Sequence, residues 1–335
     1  MKRLVPGLVI GALILGSSAV VAQDGGSILE AVQDRGKLVC GIAGTTPGMS
    51  ALDPDGNYQG MDADYCRAVA VVALGDSEAI EWRPLETGDR EKALQNGEID
   101  VMFRQTTNTL TRDALWGNFG PTILYDGQGI MVPVDLGVSA LDDLAGAEIC
   151  VSSATTTQQV LAEFVIEHTP KPFDIKEDMY DAYDQGACQA VTADRSQLLG
   201  FQPTLTGEHV ILPDVLSKEP LGPVTPHGDD QWFDIVTWAV NATIEAEELG
   251  VTQANVADMV GSDDPVIQRL LGTGDNALGS QLGIGDDFVV TIISSVGNYG
   301  EIFDRHFGPD SGQPLERGPN RLWTDGGLLY SPPIK

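Results

Sequence analysis

Three polar runs, each directly behind an apolar segment, hold the side chains best suited to chemistry. The first is Arg104-Gln-Thr-Thr-Asn-Thr-Leu-Thr-Arg112, which follows the apolar residues 99–103. The guanidinium of Arg112 offers a planar fork that grips a carboxylate through two parallel bonds. Thr107 can add an amide and a hydroxyl, and Arg104 and Gln105 at the head of the run are candidates with it. The second run, Ser152-Ser-Ala-Thr-Thr-Thr157, opens a helical pattern. Helix-start amides and hydroxyls, here those of Thr155 and Thr156, attract a carboxylate. The third feature is Asp194, just past a strand-like stretch at 189–192, where a carboxylate can hold an ammonium. Each also has a plainer structural reading: a Thr-rich surface loop, ordinary N-capping, and a cap for a helix opening at Arg195. Together they describe one cleft, with Arg112 and helix-start amides for a carboxylate and Asp194 for an amine. That set fits the zwitterionic head of an α-amino acid.

These runs fall where an α/β fold would put them, because ligands of open α/β sheets sit at the carboxyl ends of strands. The spacing predicts strands over 37–42, 79–85 and 99–103. Between them it predicts helices over 62–74, with Asp62 as N-cap, and 89–96, capped by Thr87 and stopped at Gly97. The rhythm restarts with strands at 148–151, 173–176 and 189–192 and helices at 156–167 and 179–185. Two such runs predict two α/β units. From Gly228 onward the pattern is mainly helical, over 230–249, 252–260, 265–271 and 286–296, and these helices are expected to wrap the first unit.

With 335 residues the chain is long for one domain, and 42% hydrophobic residues suffice for sizeable cores. The formal charge of −30 argues against nucleic acid as a partner, since phosphate binding needs a basic face, and against docking on anionic lipid. Lys2 and Arg3 precede an apolar stretch over 4–16, too short to span a bilayer comfortably. With Val20-Val-Ala22 behind it, residues 1–22 read as an export signal cleaved after Ala22. No Cys occurs between that stretch and Cys40, so a lipid-anchored form is not expected, and the mature chain is expected to be soluble. The four cysteines, Cys40, Cys66, Cys150 and Cys188, contain no C-x-x-C, and in an exported chain they point to disulfides rather than a metal or redox site. Three pairings exist on paper; chain order favours Cys40–Cys66 and Cys150–Cys188, one staple per unit.

Neither a phosphate-binding G-x-x-x-x-G-K-[ST] nor an H-E-x-x-H nor a G-x-S-x-G occurs. The Asp53-Pro-Asp-Gly-Asn57 segment mimics the start of a calcium loop, but Tyr58 stands where that loop needs Gly, so a hairpin turn is expected. The histidines show no ligand spacing. No metal and no cofactor are expected.

Longer stretches carry a resemblance. They include Gly60-Met-Asp-Ala-Asp-Tyr-Cys-Arg-Ala-Val-Ala70, Asp126-Gly-Gln-Gly129, Ser217-Lys-Glu-Pro-Leu-Gly-Pro223, Gly228-Asp-Asp-Gln-Trp-Phe-Asp234 and Val296-Gly-Asn-Tyr-Gly-Glu-Ile302. With them the chain resembles the periplasmic solute-binding proteins of amino-acid ABC transporters (bacterial solute-binding protein family 3), and within these the general L-amino-acid-binding subgroup. That subgroup usually has Asn where this chain has Gln105, and often Gly where it has Ala154. The resemblance implies a two-lobed type II periplasmic-binding fold of α/β class. Lobe 1 would take 23–126 with 219–335, lobe 2 would take 127–218, and crossings would fall near 125–128 and 217–219. It implies that Arg112, Thr107, Thr155 and Thr156 hold a ligand carboxylate while Asp194 and the loop at Gln105 hold the amine. It also implies free L-amino acids and inner-membrane permease subunits as partners of a monomeric, non-enzymatic receptor. Two alternatives share the fold: an exported dehydratase of aromatic amino-acid metabolism, for which the three runs offer no dedicated His or Glu, and a diffusible ligand carrier for a chemosensor.

Overall fold

A computed structural model describes residues 26–164, 166–274, 276 and 278–335. The expected signal segment 1–22 lies outside the described residues. Strand Leu38–Ile42 is buried along its whole length, as a central parallel strand must be. It pairs in parallel with Ile80–Pro84 on one side and Val101–Met102 on the other. Val224–Thr225 and Asn118–Phe119 extend this first sheet in antiparallel sense. The second sheet runs in the order Thr169–Phe173, Glu148–Ser152, Ala190–Asp194, Leu124–Pro133, His209–Ile211. Glu148–Ser152 is parallel to both its neighbours.

The two sheets define two lobes, joined by crossing strands. Leu124–Pro133 pairs at its start with Lys218–Leu221, in the register Leu221↔Leu124 to Lys218↔Gly127. Further along, the same strand enters the second sheet against Ala190–Asp194. The chain thus passes between the lobes along one antiparallel ribbon.

The tail packs where its helices were expected to go. Helix Asp230–Glu248 buries Trp232, Ile235, Val236, Ala239 and Val240 in the same apolar core as helix Met61–Leu74 of the first lobe. Burying each large side chain there contributes about 1.5–3 kcal/mol. Polar tips in this core are satisfied: the Trp232 indole donates to the Asp100 carbonyl at 2.8 Å, and the Tyr299 hydroxyl donates to the Ile123 carbonyl at 2.9 Å. Both expected disulfides are present, Cys40–Cys66 and Cys150–Cys188, each stapling a strand within one lobe. Ser50–Leu52 and Tyr58–Gln59 flank the expected hairpin turn.

Several local readings differ. Asp62 is not the cap of its helix. Gly60 takes that place with φ 127°, where a Cβ would come within 2.2 Å of the Met49 carbonyl oxygen. Thr87 opens a 3₁₀ turn over Thr87–Asp89 rather than capping the next helix, and its hydroxyl accepts from Arg104 instead. The helix expected over 156–167 spans Thr156–Glu163. The strand expected over 173–176 lies earlier, at Thr169–Phe173, despite two prolines. It is an edge strand, so Pro170 and Pro172 need not donate to an outer neighbour. Helix Tyr299–Phe307, closed by an Asn298–Glu301 capping box, was not read from the pattern.

Candidate ligand-binding site

All the expected site residues, Arg104, Gln105, Thr107, Arg112, Thr155, Thr156 and Asp194, line one cleft between the lobes. The two Arg104–Arg112 ends flank a loop that leaves strand Val101–Met102 and enters helix Leu110–Leu115. From the opposite lobe come the start of helix Thr156–Glu163 and the end of strand Ala190–Asp194. Strand ends therefore supply both walls, as the topology requires.

The geometry assigns the hydroxyls to the protein. Thr107 Oγ1 and Thr156 Oγ1 donate to the same oxygen of Glu219, at 2.5 and 2.8 Å, and Ser217 donates to the other oxygen at 2.6 Å. Thr155 caps its helix by accepting from the Gln158 amide and donates to the Ser152 carbonyl at 2.6 Å. Arg112 donates to the Thr107 carbonyl at 3.0 Å and stacks 4.8 Å over the Trp116 ring.

Sequence reasoning missed a second group of cleft residues: Thr87, Arg90, Lys176 and Gln197. Arg90 and Arg104 meet at Thr87. The first donates to its carbonyl at 2.9 Å and the second to its hydroxyl at 3.1 Å. Arg90 also crosses the cleft to the Ala154 carbonyl, and Lys176 crosses it to the Thr46 hydroxyl at 2.5 Å. Behind the loop, Asp62 accepts from the Gln105 amide at 3.2 Å.

Burial dominates the electrostatics. It lowers the Lys176 ammonium to about 7 and the Arg104 guanidinium to about 10, with Arg90 and Arg112 lowered as well. It raises the Asp62 carboxyl to about 7. Asp194 is raised well above the carboxylate range, by burial first and then by the Asp126 and Glu219 carboxylates near it. The cleft thus holds four buried cations and one buried carboxyl poised to gain from opposite charges.

Gln105 and Ala154 are the non-glycine residues with positive φ among the described residues, at 42° and 57°. They are also the two positions where this chain departs from the resembled subgroup's Asn and Gly, the residue types that tolerate that conformation best. Gln105 lines the cleft, and Ala154, on the other lobe, offers its carbonyl to the lining Arg90.

With fold and site described, comparison with known proteins is direct. The profile of the bacterial extracellular solute-binding proteins, family 3, matches residues 38–255. The chain belongs to that family. It is 43% identical to the general L-amino acid-binding periplasmic protein AapJ of Rhizobium johnstonii, over the whole of both chains. It is 41% identical to the glutamate/glutamine/aspartate/asparagine-binding protein BztA of Rhodobacter capsulatus, over 97% of each. Among solved structures, an ABC transporter periplasmic binding protein from Brucella ovis with glutathione bound matches with a TM-score of 0.89. It is 42% identical and covers 92% of this chain and 100% of that one.

Proposed function

We propose that this chain is the periplasmic receptor of an ABC importer, capturing free L-amino acids between its lobes and delivering them to permease subunits at the inner membrane. One observation carries the reading: buried Arg112 and buried Asp194 face one cleft from opposite lobes, the pairing a zwitterion needs. The names of the relatives support it. In this reading residues 1–22 are a cleaved signal, and the mature chain is soluble, monomeric and carries no lipid anchor. Lobe 1 comprises 23–126 with 219–335, and lobe 2 comprises 127–218.

The ligand carboxylate would lie on the Arg112 fork and the amides at Thr107, Thr155 and Thr156. Its ammonium would lie on Asp194, beside the loop at Gln105. An incoming ammonium favours the charged form of Asp194, which burial alone disfavours. The chain is a binder and not a dehydratase. Glu219, on the crossing strand behind the cleft, has both oxygens engaged by Thr107, Thr156 and Ser217, so it is not free to shuttle a proton. Denaturing the purified protein and identifying the released small molecule tests the reading. A co-purified amino acid is the expected result, backed by calorimetry on the stripped protein. Calorimetry showing no amino acid bound at millimolar concentration would defeat it.

A further inference from the structure

We propose that the cleft contains a second anion subsite, built by Arg104, Lys176, Arg90 and the side-chain amide of Gln105, and that its ligands are α-amino acids carrying a second carboxylate. The inference rests on the amino-acid reading above and names the substrate class within it.

The first ground is charge. Arg90, Arg104, Arg112 and Lys176 all line the cleft and are all at least nine-tenths buried, against the single lining carboxyl of Asp194. None of the three arginines has a carboxylate within 4.0 Å among the described residues. Lys176 has only Glu177, at 3.8 Å, and that carboxylate is also held by Thr45. Buried cations are kept where something anionic pairs with them. A neutral amino acid brings one carboxylate, which Arg112 takes, and one ammonium, which Asp194 takes. Arg90 and Arg104 are then left with no carboxylate in contact, and Lys176 with Glu177 alone.

The second ground is position. Arg112 lies in the field of Asp194 and Glu219, the head end of the cleft. Arg104 and Lys176 instead lie in the field of Asp62, Glu86 and Glu177. Arg90 sits between, sharing Thr87 with Arg104. Arg104 and Lys176 thus mark an end of the cleft away from Asp194, and Arg90, which feels Arg104, Arg112 and Asp194, joins it to the head end.

The third ground is an orphan donor. Gln105 Nε2 is buried without a hydrogen-bond partner among the described residues, on a residue lining the same end. Native proteins rarely leave such a group unmet. Three cations and an unmet amide donor make a pocket that rejects a cationic side chain and leaves a neutral one underused.

The second carboxylate could belong to a dicarboxylic amino acid or to the far end of a γ-glutamyl peptide, the chemistry of the glutathione in the Brucella ovis structure. Calorimetry on ligand-stripped full-length protein distinguishes them by comparing each acid with its own amide: L-glutamate with L-glutamine, and glutathione with its glycine amide. At least one acid should bind about tenfold or more tighter than its amide. Preference in the first pair identifies the dicarboxylic amino acid, and preference in the second identifies the peptide. Lys176→Met should pull the acid-to-amide ratio toward one. That ratio is insensitive to a general defect in lobe closure, and the wild-type comparison decides the matter even where the variant does not fold. If both amides bind as tightly as their acids, the second subsite is refuted while amino-acid binding stands. If no ligand of the set binds, the second subsite is likewise refuted, and the receptor reading is decided separately by titrating the remaining L-amino acids at millimolar concentration.

Discussion

Thr107 and Thr156 bring their hydroxyls to 3.4 Å from each other across the lobe boundary, and both donate to one oxygen of Glu219 on the crossing strand Lys218–Leu221. The junction locks the loop of one lobe to the helix start of the other through the hinge. It also removes both hydroxyls from the pool of ligand donors. The carboxylate of a bound zwitterion then depends on backbone amides and on Arg112.

Arg112→Ala should therefore cost most of the affinity for amino acids. Truncating one partner of a buried charged pair costs about 2–5 kcal/mol, at least roughly thirtyfold in Kd. Thr107→Val should act differently, loosening the Glu219 junction with a smaller loss of about 1 kcal/mol. Calorimetry on both variants reads the contrast. An Arg112→Ala protein with wild-type Kd would remove Arg112 from the site.

Asp194→Asn should weaken amino acids strongly and narrow the gap to the matching deaminated acids, which lack the ammonium. A pH effect accompanies this. Burial, with Asp126 and Glu219 nearby, raises the Asp194 carboxyl, whereas a bound ammonium favours its ionised form. Binding should then release a proton, and affinity should rise with pH through the range where the free protein's Asp194 ionises. Calorimetry in buffers of differing ionisation enthalpy measures the proton directly. Equal proton release in wild type and Asp194→Asn would show that Asp194 is not its source.

The contents of the cleft were unevenly legible. Arg112, Asp194 and the Thr155–Thr156 pair announced themselves because they sit immediately behind apolar strands, and a strand end is where an α/β sheet exposes its ligands. Arg90 and Lys176 gave no such sign. Arg90 fell inside the helix expected over 89–96 and Lys176 at the end of the strand expected over 173–176, neither of them in a polar run behind a strand, yet both are buried in the cleft. Asp62 did carry a local signal: it stands inside Met61–Leu74, a helix buried almost all round, where a carboxylate needs a partner. That partner, the Gln105 amide, lies far along the chain and no spacing rule finds it.

Asp64 ties the tail to the first lobe and should mark the acid limit of stability. It accepts from Arg305 at 2.5 Å and from His306 at 2.7 Å. Burial pushes its carboxyl up, but His306, Arg305 and Arg67 outweigh burial and hold it below its ordinary 3.8. A depressed acid contributes stability that is present above the unfolded value and lost as pH falls through the folded one. Denaturant midpoints measured below about pH 4 should fall less steeply for Asp64→Asn than for wild type. Parallel acid slopes for the two proteins would assign the loss to other groups.

Each disulfide closes a loop inside one lobe, so removing one should lower stability without disturbing closure. The Cys150–Cys188 bridge closes a separation of 38 residues, and the chain-entropy relation gives about 4 kcal/mol for its loss. A Cys150→Ala, Cys188→Ala protein should melt lower yet retain its Kd at a temperature where it is folded. A large loss of affinity there would mean that the bridge shapes the neighbouring strand end at Ser152.

The lobes should close on the ligand as near-rigid bodies. Arg112 belongs to helix Leu110–Leu115 behind the first sheet, Asp194 to the second sheet, and the covalent paths between them are the two strands of the ribbon Leu124–Gly127 and Lys218–Leu221. Neither wall can satisfy both ends of a zwitterion, so binding must draw the walls together. The side-chain hydrogen bonds that already bridge them, Arg90 to Ala154, Lys176 to Thr46, Thr45 to Glu177 and the Thr107–Thr156–Glu219 junction, are polar and can exchange with water as the lobes part. Rotation concentrated in the ribbon should leave both sheets unchanged internally. Small-angle scattering on protein first shown to be ligand-free should give a larger radius of gyration than the same sample saturated with L-glutamate. Ligand should also raise the melting temperature with the logarithm of its concentration. Identical radii in the two samples would contradict closure, while a concentration-dependent melting shift in the same samples would still report binding.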